Sequence, residues 1–261
     1  MKIKRLHIGV LILMVVCALG FLIPHVHACV RYAQSTRMIA AIRADDVDAV
    51  RAMLESDVSP NVPNGPYKGL WKYLNAFVES SPDCPLSVAC EEGNLEMVKL
   101  LLAYGADPAV TEQDGVGWSA LCSAVLASEH EQSAEIVRIL IDHGANIAPG
   151  GDGYLPIELV CMDYSALESG TEKGKAHAER IVEIAQMVIG EYDVNAGQGY
   201  TLLMHAARDN NKPLVEYLLS VGADPNVQTS DGETAYDVAM KHDHQDIAEI
   251  LKTAMEASTA D

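Results

Sequence analysis

Basic residues are few in this chain of 261 residues: 18 Lys and Arg stand against 37 Asp and Glu, a formal charge of −19. A surface so short of cations repels phosphate backbones and anionic lipid heads, which argues against nucleic acid as a partner; it either draws basic proteins from a distance or simply keeps the protein soluble. Catalytic signatures are missing too. The chain has no Gly-rich phosphate loop, no His-Glu-x-x-His pair and no nucleophile elbow. His130, His143, His177 and His205 lie far apart, without metal-ligand spacing. Asp-Gly pairs at 114–115, 152–153 and 231–232 lack the alternating acids of a calcium loop. His242-Asp243-His244 reads as an exposed helix-to-helix turn ahead of a weak metal site. No catalytic residue, metal or cofactor is therefore expected, and an enzyme would need a site hidden in the insertions. With 49% hydrophobic residues the chain can bury a substantial core, so wholesale disorder is not expected.

The first 28 residues read as an export signal. Lys2, Lys4 and Arg5 make a short basic start, and Ile8 to Ile23 is an unbroken apolar or small run. Pro24 then breaks the helix, and Val26-His27-Ala28 offers a small-residue cleavage site. The run is shorter than the ~20 residues of a spanning helix, although an uncleaved anchor stays open. Ala28-Cys29 resembles a bacterial lipobox, which implies lipidation of Cys29; His27 and the Pro24-His25 break depart from that pattern, and plain cleavage after Ala28 competes. Cys17, preceded by a valine, fits worse. Removal of residues 1–28, which hold three cations and no acid, would take the charge from −19 to −22.

The rest of the chain repeats itself. Pro85-Leu86-Ser87-Val88-Ala89-Cys90 is followed by Gly93-Asn94, Met97-Val98, Leu101-Leu102 and Gly105-Ala106-Asp107. Thr201-Leu202-Leu203-Met204-His205-Ala206-Ala207 leads to Leu214-Val215, Leu218-Leu219 and Gly222-Ala223-Asp224-Pro225-Asn226, and Asp231-Gly232-Glu233-Thr234-Ala235 opens a further copy. Small residues let a short first helix press on its partner, and aliphatic pairs put an apolar stripe on the second. Gly105, Gly144 and Gly222 stand where a left-handed C-cap costs least. These residues resemble the ankyrin repeat. The resemblance implies an all-α solenoid of about six helix-pair units with short finger loops and three insertions, since no unit buries its stripe alone. The expected organisation is a signal peptide at 1–28, a linker at 29–37 and a repeat domain at 38–252. Its units span about 38–61, 84–110, 118–148, 154–196, 199–228 and 231–252, with an insertion at 62–83, and a disordered tail covers 253–261. Charged Arg43, Asp45 and Asp46 at one end and Lys252 at the other suit capping units.

Three places break the pattern. The insertion at 62–83 gathers Tyr67, Trp71, Tyr73 and Phe77 within eleven residues, from a total of 2 Trp, 10 Tyr and 2 Phe. Trp and Tyr anchor protein interfaces well, yet Leu70, Trp71, Leu74 and Phe77 would also suit one face of a helix packed on the repeats. Ala127–Ser133 and Met162–Arg180 lengthen the joints between paired helices in units three and four. They should lie side by side, and the polar stretch from Ser165 to Ala178 reads as a flexible lip. Among the cysteines, Cys84 and Cys122 start neighbouring first helices and are the one pair able to bridge; buried thiols are the default reading.

Ankyrin proteins present fingers and first helices as a concave surface to a protein, and the resemblance implies the same here. Glu91, Glu92, Glu112, Asp114, Asp152, Asp209 and Asp231 would line that side for a basic partner, with Tyr67, Trp71, Tyr73, Trp118 and Arg208 among the contacts. The expected function is a non-enzymatic protein-binding module, monomeric without its partner, in the periplasm or anchored facing it. Membrane contact would come only through the signal or a lipid on Cys29, and an internal start at Met38 would give a cytosolic form. Exported ankyrin proteins of bacteria resemble a theme among immunity proteins against interbacterial toxins such as type VI lipase effectors; an envelope scaffold or stress-protection factor is the alternative.

Overall fold

The computed structural model describes residue 30 and residues 33–61, 84–109, 119–147, 156–160, 171–190, 193–195 and 200–258. All regular structure among them is helical, in paired helices. The pairs are α1 (33–43) with α2 (Val47–Glu55), α3 (Pro85–Glu91) with α4 (Leu95–Ala103), and α5 (Ala120–Leu126) with α6 (Ser133–Asp142). They continue with α7 (Pro156–Val160) and α8 (Glu172–Val188), α9 (Leu202–Arg208) and α10 (Lys212–Ser220), and α11 (Ala235–Lys241) and α12 (Gln245–Ser258).

The turns between paired helices in units one, two, five and six reuse one piece of backbone chemistry. Asp45, Gly93, Asn210 and Asp243 take positive φ of 54°, 63°, 57° and 61°. The amide of the next residue closes the first helix: Asp46, Asn94, Asn211 and His244 donate N–H to the carbonyls of Ala41, Ala89, Ala206 and Ala239 at 2.9–3.0 Å. Asp46, Asn94 and Asn211 then cap the second helix, each side-chain oxygen accepting an N–H three residues on. Second helices end the same way, with Gly105, Gly144 and Gly222 at positive φ as their sequence positions imply and Asp57 (φ 66°) filling that place in unit one.

Packing follows two layers. Second helices touch in an unbroken series, α2 with α4, α4 with α6, α6 with α8, α8 with α10 and α10 with α12, while first helices pair α3 with α5, α5 with α7, and α9 with α11. One hydrophobic core runs from Met38 to Leu251, and Ala89, Ala124, Ala207 and Ala239 are fully buried where first helices press closest. Asparagine clamps tie units together. Asn61 Nδ2 donates to the Gly105 carbonyl (2.7 Å) while its Oδ1 accepts from the Asp107 N–H (2.8 Å). Asn195 repeats the clamp on Gly222 (3.2 Å) and Asp224 (2.7 Å) in the next unit.

Three expectations are corrected. Residues 33–37, assigned to a linker at 29–37, are helical, because Ser35 is buried one turn before Met38 and Ile42 and extends the seated face of α1. The tail at 253–261 is ordered through Ser258: α12 continues the stripe of Ile247, Ala248 and Leu251 with half-buried Ala254 and Met255. Ser258 Oγ also accepts from Asn226 Nδ2 at 2.8 Å, fixing the end of the helix to unit five. The stretch expected as a flexible lip is, from Glu172 on, the start of the 17-residue α8, capped by Thr171 through the Gly174 N–H. Buried His177 on this helix hydrogen-bonds Ser128 Oγ (3.0 Å), and Arg180 donates to the carbonyls of Ser128 (2.8 Å) and Glu129 (3.3 Å). The lengthened joints of units three and four therefore hold each other. From the former, His130 lies over the turn of unit two, where a Cβ on Gly93 would come within 2.4 Å of its ring.

The signal at 1–28, Cys29, the insertion 62–83 and residues 161–170 lie outside the described residues.

The clamp and the turn generate two stability expectations. Asn195→Ala should cost about 1–2 kcal/mol, two exposed to half-exposed hydrogen bonds, read as a shifted urea midpoint; an unchanged midpoint would mean water replaces the clamp without loss. Gly93→Ala should cost about 2–3 kcal/mol, left-handed strain plus displacement of His130. Adding His130→Ala should return the steric share and leave about 1 kcal/mol; strictly additive effects would show that the two residues do not meet.

Candidate binding surface

The first helices α3, α5, α9 and α11 end on Glu91, Leu126, Arg208 and Lys241. These residues stand at equivalent places, so their side chains mark one edge of the first-helix layer. Glu91 and Glu92 are both exposed there. Of the other expected contacts, Asp231 sits exposed on the finger before α11, beside Gly232 at φ 82°. The finger closes through Gly232 N–H to Thr229 O (3.0 Å) and Thr229 N–H to Glu233 O (2.9 Å). Tyr67, Trp71, Tyr73, Glu112, Asp114, Trp118 and Asp152 lie outside the described residues.

Arg208 and Asp209 do not act as separate contacts. Arg208 Nε and Nη2 donate to the two carboxylate oxygens of Asp209 at 2.7 and 3.0 Å, a bidentate pair with both side chains 23% exposed. The structure thus neutralises one of the acids expected to meet a basic partner. Lys241 likewise donates to Glu233 at 3.0 Å, and this bond raises its affinity for a proton. Between these pairs stands Tyr200, its ring edge-on to His205 at 4.7 Å and its hydroxyl proton held more tightly by burial. His205 Nδ1 is buried and, among the described residues, has no hydrogen-bond partner. Burial first, then the Arg208 charge, depress His205 to a pKa of about 4 against an opposing push from Asp209, so the ring is neutral near pH 7.

Sequence reasoning missed Tyr200, His205, Glu233 and Lys241. The one available signal was the Tyr200-Thr201 pair opening a first helix that carries polar His205 among apolar neighbours; burial and pairing of these groups come from the folded structure. Acidic character is therefore uneven: among the described residues Glu91 and Glu92 meet no cation, whereas Asp209 and Glu233 are each ion-paired.

A second open feature lies beside Glu92. A cleft of about 610 Å3 is lined by Arg43 and Asp45 of unit one, Glu92, Asn94, Glu96 and Lys99 of unit two, and Gln132 of unit three. Asn94 Nδ2 donates to Asp45 Oδ1 at 2.5 Å, and Lys99 leans toward Glu135 at 4.0 Å.

Other candidates are structural. Cys84, Cys90 and Cys122 are buried thiols with no disulfide between Cys84 and Cys122, and burial followed by the nearby Cys84 pushes the Cys90 thiol up, away from reactivity. His242-Asp243-His244 forms the turn of unit six, with His244 Nε2 at 3.0 Å from the Arg208 carbonyl.

A row of stacked helix pairs with an open first-helix edge defines a repeat-built binding scaffold. A family model of ankyrin repeats matches residues 67–154 and 175–260, and the chain belongs to that family. Repeats of this kind mediate protein–protein binding. Ankyrin repeat protein nuc-2 of Neurospora crassa is 30% identical over 178 residues, 67% of this chain and 15% of that protein. Protein phosphatase 1 regulatory subunit 27 of Homo sapiens is 39% identical over 93 residues, 35% of this chain and 56% of the relative. The chain thus spans only part of either relative. A solved chain in the complex of the predatory endopeptidase Bd0816 from Bdellovibrio bacteriovorus with immunity protein Bd3460 superposes with a TM-score of 0.56 at 24% identity, covering 83% of this chain and 96% of that one. At that identity the likeness is one of fold.

His205 yields a pH expectation. Its folded pKa lies below the usual 6.5, so the unfolded chain takes up more protons between about pH 6.5 and 4, and the contribution of neutral His205 is lost as pH falls through that window. The melting temperature should drop less between pH 7 and 5 in His205→Phe than in the wild type; parallel pH profiles would refute this role for the ring.

Proposed function

We propose that this chain is a non-enzymatic binding module of the bacterial cell envelope that grips a basic protein along its first-helix edge. The finer reading is an immunity protein that neutralises an interbacterial toxin, a lipase-type effector, in the periplasm. One observation carries the proposal: a chain with formal charge −19 keeps Glu91 and Glu92 exposed and outside any ion pair among the described residues, at the edge where stacked first helices end. Unpaired carboxylates on a rigid edge speed encounter with a cationic surface and add specificity more than raw affinity. Two further features support it. Met1–Ala28 has the make-up of an export signal, which would place the repeats beyond the inner membrane. The fold also resembles a chain from an endopeptidase–immunity protein complex.

Crosslinking in the native envelope, followed by mass spectrometry and purification of the captured protein, tests the reading. The partner should be basic. Its association rate should fall about tenfold between 50 and 300 mM salt, since screening shortens the reach of the charges. Glu91→Lys with Asp231→Lys should slow association similarly while leaving the melting temperature unchanged. A captured partner of acidic charge, a salt-independent association rate, or a chain retained in the cytosol would overturn the proposal.

A further inference from the structure

We draw no further inference here: the strongest candidate, the Tyr200–His205 ring pair set between the Arg208–Asp209 and Glu233–Lys241 ion pairs of units five and six, carries nothing, because its charges are met within the patch and nothing in the structure shows what covers the rings.

Discussion

Lateral burial of the second helices is the constraint on which the rest depends. Each second helix carries an apolar stripe that its own first helix covers only in part, and most are too short to hold without a neighbour lying against them. The unbroken series from α2 to α12 supplies those neighbours, and Val50, Met97, Val98, Ile136, Ile184, Val215 and Ile247 are consequently buried along one continuous core. Every other feature is arranged so that this stacking can persist: left-handed turns that reverse the chain in two residues, asparagine caps that satisfy the exposed N–H groups, and clamps that set one unit's register on the next. The exposed ends of the first helices are free to bind because both layers cohere through their buried faces.

Insertions would ordinarily weaken such a stack, since they lengthen the joint that holds paired helices together. Here they are absorbed. The loop after α5 has its Ser128 and Glu129 carbonyls taken by Arg180 and its Ser128 hydroxyl by His177, both on a helix that begins two turns early. Polar groups that a loop would expose are thereby met across about fifty residues of sequence, and His130 is turned onto the Gly93 turn. Extra length has become extra contact between units two, three and four, on the side where the cleft opens.

Much of this was legible in the sequence, and the failures share one cause. Gly105, Gly144 and Gly222 declared second-helix ends because a left-handed residue after an aliphatic pair has a local explanation; Ala89, Ala206 and Ala207 declared close packing for the same reason. Asp57 was less visible in that place because aspartate is not glycine, though its short polar side chain tolerates the same backbone. The stretch 172–178 looked like a flexible lip because Glu172, Lys173 and Lys175 are polar, while the residues that hold it, Thr171, His177 and Arg180, act through partners no local pattern reveals. The linker and tail erred in the same direction: α1 and α12 extend by a turn or more where another buried or half-buried side chain falls on the stripe. Local rules locate elements well and locate their ends poorly when the end is decided by another unit.

Net charge gives the corresponding lesson for the surface. A total of −19 describes a potential far from the protein, where all the carboxylates act together. Close in, what matters is which of them are already spoken for. Asp209 is locked to Arg208 and Glu233 to Lys241, so the patch around Tyr200 and His205 is compensated, while Asp231 on the finger of unit six stays exposed. Glu91, Glu92 and Glu96, at the other end of the stack, meet no such cation among the described residues. A basic partner, as proposed, would therefore gain little from Asp209 and Glu233 and would be steered by the carboxylates left open, Glu91, Glu92 and Glu96 in unit two and Asp231 in unit six. Such a pattern would fix where the partner seats, because a uniform acidic flank would leave it free to slide whereas a few open carboxylates set apart by compensated patches define discrete points of attachment.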